Sequence, residues 1–120
     1  MAIVEIYASF EPQALKAYSK NEPYLVLSLK NSDGNASYWC ECDVSVKPPL
    51  SLAHDKELGV GRTKVGIVKP NGALNKKIRL FTMPNNFPDD YQVSITAYVY
   101  GEDGTIAERV DRNESVPCRE

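Results

Sequence analysis

Three cysteines and a single histidine are the residues of this sequence that could act as nucleophiles, bases or zinc ligands. Cys40 and Cys42 are separated by one residue, Cys118 lies near the C-terminus, and His54 lies between them in the sequence. Thiol catalysis would require Cys40 or Cys42 to reach His54, and a zinc site would require all four side chains to converge. The cysteine pair lies on the apolar parity of an alternating segment. We therefore predict three free thiols, with Cys40 and Cys42 filling a core, no metal site and no cofactor.

Other motifs of catalytic or ligand-binding proteins are incomplete. Gly59-Val60-Gly61 resembles part of a phosphate loop, but it precedes a strand pattern instead of a helix. The Asp89-Asp90 pair lies in a turn, and no acidic run has the spacing of a calcium loop. No Gly-x-Ser-x-Gly nucleophile elbow is present. The sequence therefore predicts a protein with no catalytic residue, that is, not an enzyme.

Length and composition limit the class of protein. The 120 residues are 42% hydrophobic and 25% charged with a net charge of −2, which fits a soluble domain and excludes a disordered chain or a generally basic nucleic-acid binder. No apolar run approaches the roughly 20 residues of a membrane helix, and the first residues lack the pattern of a secretory signal. The missing signal pattern and the odd number of cysteines together favour a cytoplasmic protein. The protein would be extracellular if the chain is a module excised from a larger one.

Apolar and polar residues alternate along most of the chain, which is the pattern of half-buried β-strands. The strongest alternating segments are residues 24–30, 38–46, 62–69 and 91–100. About seven short strands, separated by turn residues and without a helical pattern, predict an all-β chain folded as a sandwich of two antiparallel sheets. We assign residues 1–112 to a single sandwich domain and residues 113–120 to a frayed C-terminal tail.

Two segments carry a resemblance to a known architecture. Residues 87–97 resemble the entry to strand F of immunoglobulin-like folds, where a tyrosine turns its hydroxyl back to an upstream backbone group. Tyr91 occupies that position, whereas Val93 stands where disulfide-bonded families have a cysteine. The turn Lys30-Asn31-Ser32-Asp33-Gly34 is similar to that of CARDB-type and fibronectin type III-like modules. The resemblance covers about residues 23–111 and implies an immunoglobulin-like β-sandwich without a disulfide, acting as a spacer or protein-binding domain.

Charge is segregated along the sequence. Residues 59–88 carry six basic residues and no acidic one. Residues 1–58 carry five basic and eight acidic residues, a sum of −3, and residues 89–120 carry three and eight, a sum of −5. Strand parity places Thr63, Val65 and Ile67 inward and a set of basic side chains outward, namely Arg62, Lys64, Lys77 and Arg79.

These four basic side chains, called the basic hairpin, would form one patch if their two strands shared a sheet edge. Three interpretations stay open. The patch is a solvated edge that prevents strand pairing, a surface for an acidic protein, including the acidic C-terminal region of a second copy, or a nucleic-acid surface. The last is disfavoured because outward aromatic side chains are almost lacking there.

A second outward feature is aromatic. Trp39, Tyr98 and Tyr100 fall on the polar parity of two strands that are neighbours in immunoglobulin-like sheets, beside Glu41 and Asp43. Exposed aromatics with a polar rim are typical of a protein interface or of a platform that stacks sugars. A bulge that turned Trp39 inward, or a C-terminal tail that covered the tyrosines, would remove this patch. We predict a non-enzymatic binding or adaptor module for a protein partner or a second copy, with a carbohydrate-binding module as the alternative and no role at a membrane.

Overall fold

The computed structural model describes residues 3–54 and 56–120, which form β-strands joined by turns and loops. Seven of the strands have seven residues or more and three have only two residues. In chain order they are β1 (Val4–Glu11), β2 (Leu15–Lys16), β3 (Tyr24–Asn31), β4 (Tyr38–Val46), β5 (Leu50–Ser51), β6 (Val60–Val68), β7 (Ala73–Arg79), β8 (Phe81–Thr82), β9 (Asp89–Tyr100) and β10 (Ile106–Arg119). The seven long strands confirm the number that the alternation predicts.

The long strands form two antiparallel sheets. The smaller sheet has the order β1-β3-β7 and the larger sheet the order β10-β9-β4-β6. The short β2 adds to the larger sheet by pairing parallel to the end of β10, and β5 and β8 form a separate small ladder. This arrangement is an immunoglobulin-like β-sandwich, as predicted. It also confirms that the strands carrying Trp39 and Tyr98, β4 and β9, are neighbours in one sheet.

The core lies between the sheets and is made by every second residue of the central strands. Burying an aliphatic side chain of this kind contributes roughly 1.5–3 kcal/mol. Because β3, β4 and β9 lie in the interior of their sheets, the opposite sheet covers their inward faces almost completely. Their inward side chains are Leu25, Leu27 and Leu29 from β3, Cys40, Cys42, Val44 and Val46 from β4, and Val93, Ile95, Ala97 and Val99 from β9.

The two long sides of the sandwich differ. On one side, the Glu108 carboxylate accepts hydrogen bonds from the backbone N–H groups of Ile3 and Val4, at 3.0 and 3.4 Å. Nearby, Arg112 Nε donates to the carbonyl oxygen of Ile6 at 3.2 Å. Two side chains of β10 thus provide hydrogen-bond partners for backbone groups in β1 and in the residue before it.

The opposite side, between β6 and β7, is open. A cavity of about 210 Å³ lies there and reaches Val44 of the core. On the inner face of β7, Lys76 lies between Leu74 and Ile78 and pairs across the ladder with Leu27 of β3. A charged side chain therefore points into the sandwich at this edge.

A bulge in β6 changes which of its residues face outward. Cys40 pairs with Gly66 but the next residue, Glu41, pairs with Lys64, so Val65 has no partner in the register. Gly66 has a φ of +131°, which residues with a side chain rarely adopt. The alternation predicts Ile67 in the core, and this prediction is wrong. Beyond the bulge, Ile67 faces outward with 58% of its surface exposed.

The C-terminal residues belong to the larger sheet. Strand β10 continues to Arg119 and pairs with β9 as far as Cys118 opposite Asp89. Val116 and Cys118 are completely buried. The expectation of a frayed tail at residues 113–120 is therefore wrong, because the long β9 supplies a backbone ladder for a segment whose side chains are mostly polar.

Tyr91 fastens the start of β9. Its hydroxyl donates a hydrogen bond to the carbonyl oxygen of Phe87, four residues upstream. This contact is the one implied by the resemblance to strand F of immunoglobulin-like folds, and its geometry is confirmed.

Asn31 links two connections between strands at the opposite end of the sandwich. Its side chain is completely buried. The amide nitrogen lies 2.8 to 3.2 Å from the carbonyl oxygens of Ala36, Val68 and Lys69. The amide oxygen accepts a hydrogen bond from the backbone N–H of Asp33 at 2.9 Å. One side chain thereby joins the β3–β4 loop to the β6–β7 turn.

We expect Asn31→Ala to lower the free energy of unfolding by about 2–3 kcal/mol, because it leaves several buried backbone groups without partners. Urea denaturation of the two proteins measures the difference. Asn75→Ala, an exposed position on β7, serves as the control and should change stability by less than about 0.5 kcal/mol. Equal effects of the two substitutions would contradict this role of Asn31.

Candidate functional site

The outward surface of the larger sheet, called the outer face, carries side chains in rows that cross its four long strands. At the end where β9 turns into β10, the row is apolar. Tyr100 pairs with Ile106 on one side and with Trp39 on the other, and Trp39 pairs with Ile67. This apolar row is Ile106, Tyr100, Trp39 and Ile67. With strands about 4.8 Å apart, it is about 14 Å long.

The ends of the apolar row are its most exposed parts. Ile106 and Ile67 are 57% and 58% exposed, while the two aromatic side chains between them are half-buried. The bulge considered for Trp39 lies on β6 instead, so Trp39 keeps its outward position. The structure therefore brings Trp39, Tyr98 and Tyr100 together on one face, as expected, and adds the two isoleucines to them.

Trp39 is held in a defined orientation. Its indole N–H donates a hydrogen bond of 2.8 Å to the carboxylate of Glu41 on the same face of β4. A shallow groove of about 200 Å³ runs between Trp39 and Ile67 and the loop residue Glu102. Glu102 in turn accepts a hydrogen bond from the backbone N–H of Ser37. The apolar row thus borders a groove with an ordered acidic rim.

The next rows of the outer face are charged. Arg62 makes two hydrogen bonds to the carboxylate of Asp43, at 2.7 and 2.9 Å. The same guanidinium lies 4.9 Å from the centre of the Tyr98 ring, and that of Arg109 lies 5.9 Å from it. The hydrogen bond from Arg62 holds the pKa of Asp43 below its usual value. Asp43 therefore stays ionised and keeps Arg62 in place beside the ring.

Charges of both signs balance on the outer face. Thr96 and Tyr98 occupy the middle of the two charged rows, with acidic and basic side chains on both sides of them. The three basic residues are Arg62, Lys64 and Arg109, and the three acidic residues are Glu41, Asp43 and Asp111. An approaching protein surface meets no net charge there.

The basic hairpin is not a single patch. Arg62 and Lys64 lie on β6 in the larger sheet, whereas Lys77 and Arg79 lie on β7 in the smaller sheet. The turn after β6 carries the chain from one sheet to the other, so the two pairs of side chains face opposite directions. The condition for a single basic patch, that the two strands share a sheet edge, is therefore not met.

The basic residues of β7 are also engaged within the chain. Lys77 lies 3.0 Å from the carboxylate of Glu11. Arg79 lies 3.8 Å from that of Glu22 and packs over the ring of Tyr24, 4.0 Å from its centre. Acidic residues of the same chain thus offset the positive charge of Lys77 and Arg79. This makes it less favourable for the basic hairpin to bind the acidic C-terminal region of a second copy.

All three thiols are free and buried. Cys42 pairs with Ala97 of β9, whereas Cys118 pairs with Asp89. Eight residues of strand separate these positions, about 26 Å. Cys118 therefore lies at the other end of the sandwich, so the side chains of a zinc site do not converge. Burial raises the pKa of Cys40 to about 11 and that of Cys42 to about 12, so both are protonated and unreactive near neutral pH.

His54 lies in the loop after β5, at the end of the sandwich away from Cys40. Its ring packs edge-on against Phe81, with the ring centres 5.4 Å apart, at a cavity of about 360 Å³. Its neighbour Asp55 lies outside the described residues. Among the residues that the structure describes, no group of three or more His, Cys, Asp or Glu side chains could hold a metal ion. In the same part of the chain, no helix has the length and apolar character needed to cross a membrane.

Comparison with solved structures supports the fold. A non-cellulosomal cohesin from the hyperthermophilic archaeon Archaeoglobus fulgidus aligns with 98% of this chain and 91% of its own, with a TM-score of 0.58 and 15% identity. A FixG-related protein from Vibrio parahaemolyticus aligns over 98% of both chains, with a TM-score of 0.55 and 12% identity. BslA, a bacterial hydrophobin, aligns with 100% of this chain and 98% of its own, with a TM-score of 0.54 and 9% identity.

No family model matches the sequence, and no curated protein matches it. At identities this low, similarity to solved structures shows the sandwich fold alone.

Sequence reasoning misses two of the four residues of the apolar row. Ile67 is assigned to the wrong side because the bulge adds one residue to its strand. Gly66, a glycine within a strand pattern, is the signal that could have indicated the bulge. Ile106 faces outward because the register of β10 shifts between Ile106 and Glu108, which leaves Ala107 without a partner and sets Ile106 opposite Tyr100. Simple alternation along β10 would place Ile106 on the inward side with Glu108, so the sequence pattern does not reveal its position.

The buried thiols of Cys40 and Cys42 should make the stability of the fold depend on pH in the alkaline range. A thiol with a raised pKa in the folded state stabilises the fold fully below its unfolded pKa, about 8.5, and loses this contribution as the pH rises toward the folded value. We expect the free energy of unfolding to fall by about 2–4 kcal/mol between about pH 8 and about pH 10. Urea denaturation across this range measures the fall, which Cys42→Ala should reduce by about half.

Stability that stays constant over this range would contradict the expectation. So would rapid reaction of the folded protein with a thiol reagent at neutral pH, since all three thiols should react only after unfolding.

Proposed function

We propose that the chain is a non-enzymatic binding module that recognises a protein partner through the outer face of its larger sheet. The observation that carries this proposal is the apolar row, with Ile67 and Ile106 more than half exposed at its two ends. Contiguous exposed apolar side chains with a polar rim mark interaction surfaces. The neighbouring rows supply that rim.

The chemistry of the outer face supports a protein as the partner. Tyrosine, tryptophan and arginine are enriched among the residues that dominate protein interfaces. Trp39, Tyr98 and Arg62 lie together here, and hydrogen bonds to Glu41 and Asp43 hold two of them in place. Side chains that are already ordered lose little conformational entropy on binding.

The absence of enzymatic activity is part of the proposal. All three thiols are buried, those of Cys40 and Cys42 stay protonated near neutral pH because burial raises their pKa, and His54 lies at the other end of the sandwich from Cys40. A nucleophile needs a base within hydrogen-bond reach. The arrangement of these residues therefore supports a binding role over a catalytic one.

We infer that the module is of the CARDB or fibronectin type III-like kind. In constant-type immunoglobulin domains the fourth strand belongs to the sheet opposite the C, F and G strands. Here the fourth long strand, β6, pairs with β4 in the larger sheet. The turn after β3, fastened by Asn31, supports the same assignment. Three free thiols support a reducing compartment such as the cytoplasm.

Selection from a displayed peptide library tests the proposed binding face. Peptides enriched on the folded protein should bind the outer face, because it offers ordered apolar and aromatic groups. We expect Ile67→Asp to weaken the selected peptides at least about tenfold, measured by titration of the fluorescence of Trp39, the only tryptophan.

The control is Tyr7→Asp, at a side chain that is 60% exposed on the outward surface of the smaller sheet. It should leave peptide affinity unchanged. Selected peptides that tolerate Ile67→Asp but lose affinity on Tyr7→Asp would place the binding surface elsewhere and contradict the proposal.

A carbohydrate is the second candidate, favoured by one observation. Trp39 and Tyr100 are paired neighbours beside a groove, and aromatic rings of this kind can stack on sugars. The ends of the row are isoleucines, which offer a sugar no hydrogen bonds, and this favours the protein partner. Glycan-array binding that is lost on Trp39→Ala would support the carbohydrate, and no binding to any glycan would remove it.

A further inference from the structure

We propose that the partner of the outer face is a second copy of the same chain, bound face to face about a two-fold axis parallel to the strands. The inference rests on the proposed function of this face. In such a symmetric contact the same surface is used twice, so its two halves must complement each other. The register of the larger sheet determines whether they do.

The apolar row meets this requirement. A two-fold axis running between β9 and β4 exchanges β10 with β6 and β9 with β4. It therefore places Ile106 of one copy against Ile67 of the other, and Tyr100 against Trp39. All four positions of the row contact an apolar or aromatic group, and the two most exposed isoleucines cover each other.

The charged rows are also complementary in their central part. The same rotation places the Tyr98 hydroxyl against the Glu41 carboxylate, and Thr96 against Asp43. At the margins it brings Asp111 against Arg62.

One pair is unfavourable. Arg109 of one copy faces Lys64 of the other. Both are long side chains at the edges of the face, where twisted sheets diverge and water screens the charges. The balance of three basic and three acidic residues means that two copies approach without net repulsion.

The size of the face sets the strength of the contact. The apolar row and the two charged rows, on four strands, cover about 19 by 20 Å, which corresponds to roughly 300–400 Å² from each copy. Stable interfaces of standard size bury about 800 Å² per partner. The dimer should therefore be weak, with a dissociation constant in the high micromolar range.

Sedimentation equilibrium from about 20 µM to about 1 mM tests the proposal. We expect a reversible monomer–dimer equilibrium that persists in about 0.5 M NaCl, because its main contact is apolar. Ile67→Asp and Ile106→Lys, each at an exposed position that should not disturb folding, should each lower the association constant at least about tenfold.

The double variant Ile67→Asp/Ile106→Lys tests whether the two positions contact each other between copies. About 14 Å separates the two positions within one chain, but the two-fold contact places them against each other in the dimer. The opposite charges should restore the association constant to within about threefold of the original value at low salt. Tyr7→Asp, on the other sheet, is the control and should dimerise like the unaltered chain.

Three results would overturn the inference: a monomer at every concentration, a dimer that both single variants leave unchanged, or a double variant no better than the single ones. A monomer whose outer face still selects peptides as described above would remove the second copy as the partner and leave the protein-binding proposal standing. A protein that neither dimerises nor selects peptides on its outer face would contradict both the dimer and the protein-binding proposal.

Discussion

The two sheets are held together by the apolar side chains that every second residue of β3, β4 and β9 places between them. Three leucines of β3 face the alternating positions of β4 and β9, and all of these positions are almost completely buried. Because alternation directs each intervening residue to the opposite side, the same pattern that fills the core also determines the outer face. The positions of Cys40 and Cys42 inside require Trp39 and Glu41 to lie outside.

This coupling explains why the outer face is ordered. Each outward side chain of β4 has neighbours in register on β9 and β6, so rows of side chains form across the sheet. Within the charged rows, Arg62 is fixed by Asp43 and packs beside Tyr98. The outer face therefore follows from the core geometry, because the register that places the buried residues also places the apolar row.

The parts of the structure that follow from alternation could be predicted from the sequence. These are the sandwich, the buried thiols at positions 40 and 42, and the outward placement of Trp39, Tyr98 and Tyr100. The parts that depend on strand pairing do not follow from alternation alone. The bulge before Gly66 adds one residue to β6 and turns Ile67 outward, and it exists only relative to β4. The change of sheet after β6 and the extension of β10 depend equally on contacts between distant residues.

The open side between β6 and β7 leaves two strand edges without a neighbouring strand. Such edges can act as templates on which further chains add as new strands and grow into fibrils. The bulge distorts the backbone of β6, and Lys76 would carry its ammonium group into the dry interior of any extended cross-β stack. The chain can therefore expose apolar and aromatic side chains on its outer face while the edges of its sheets resist amyloid growth.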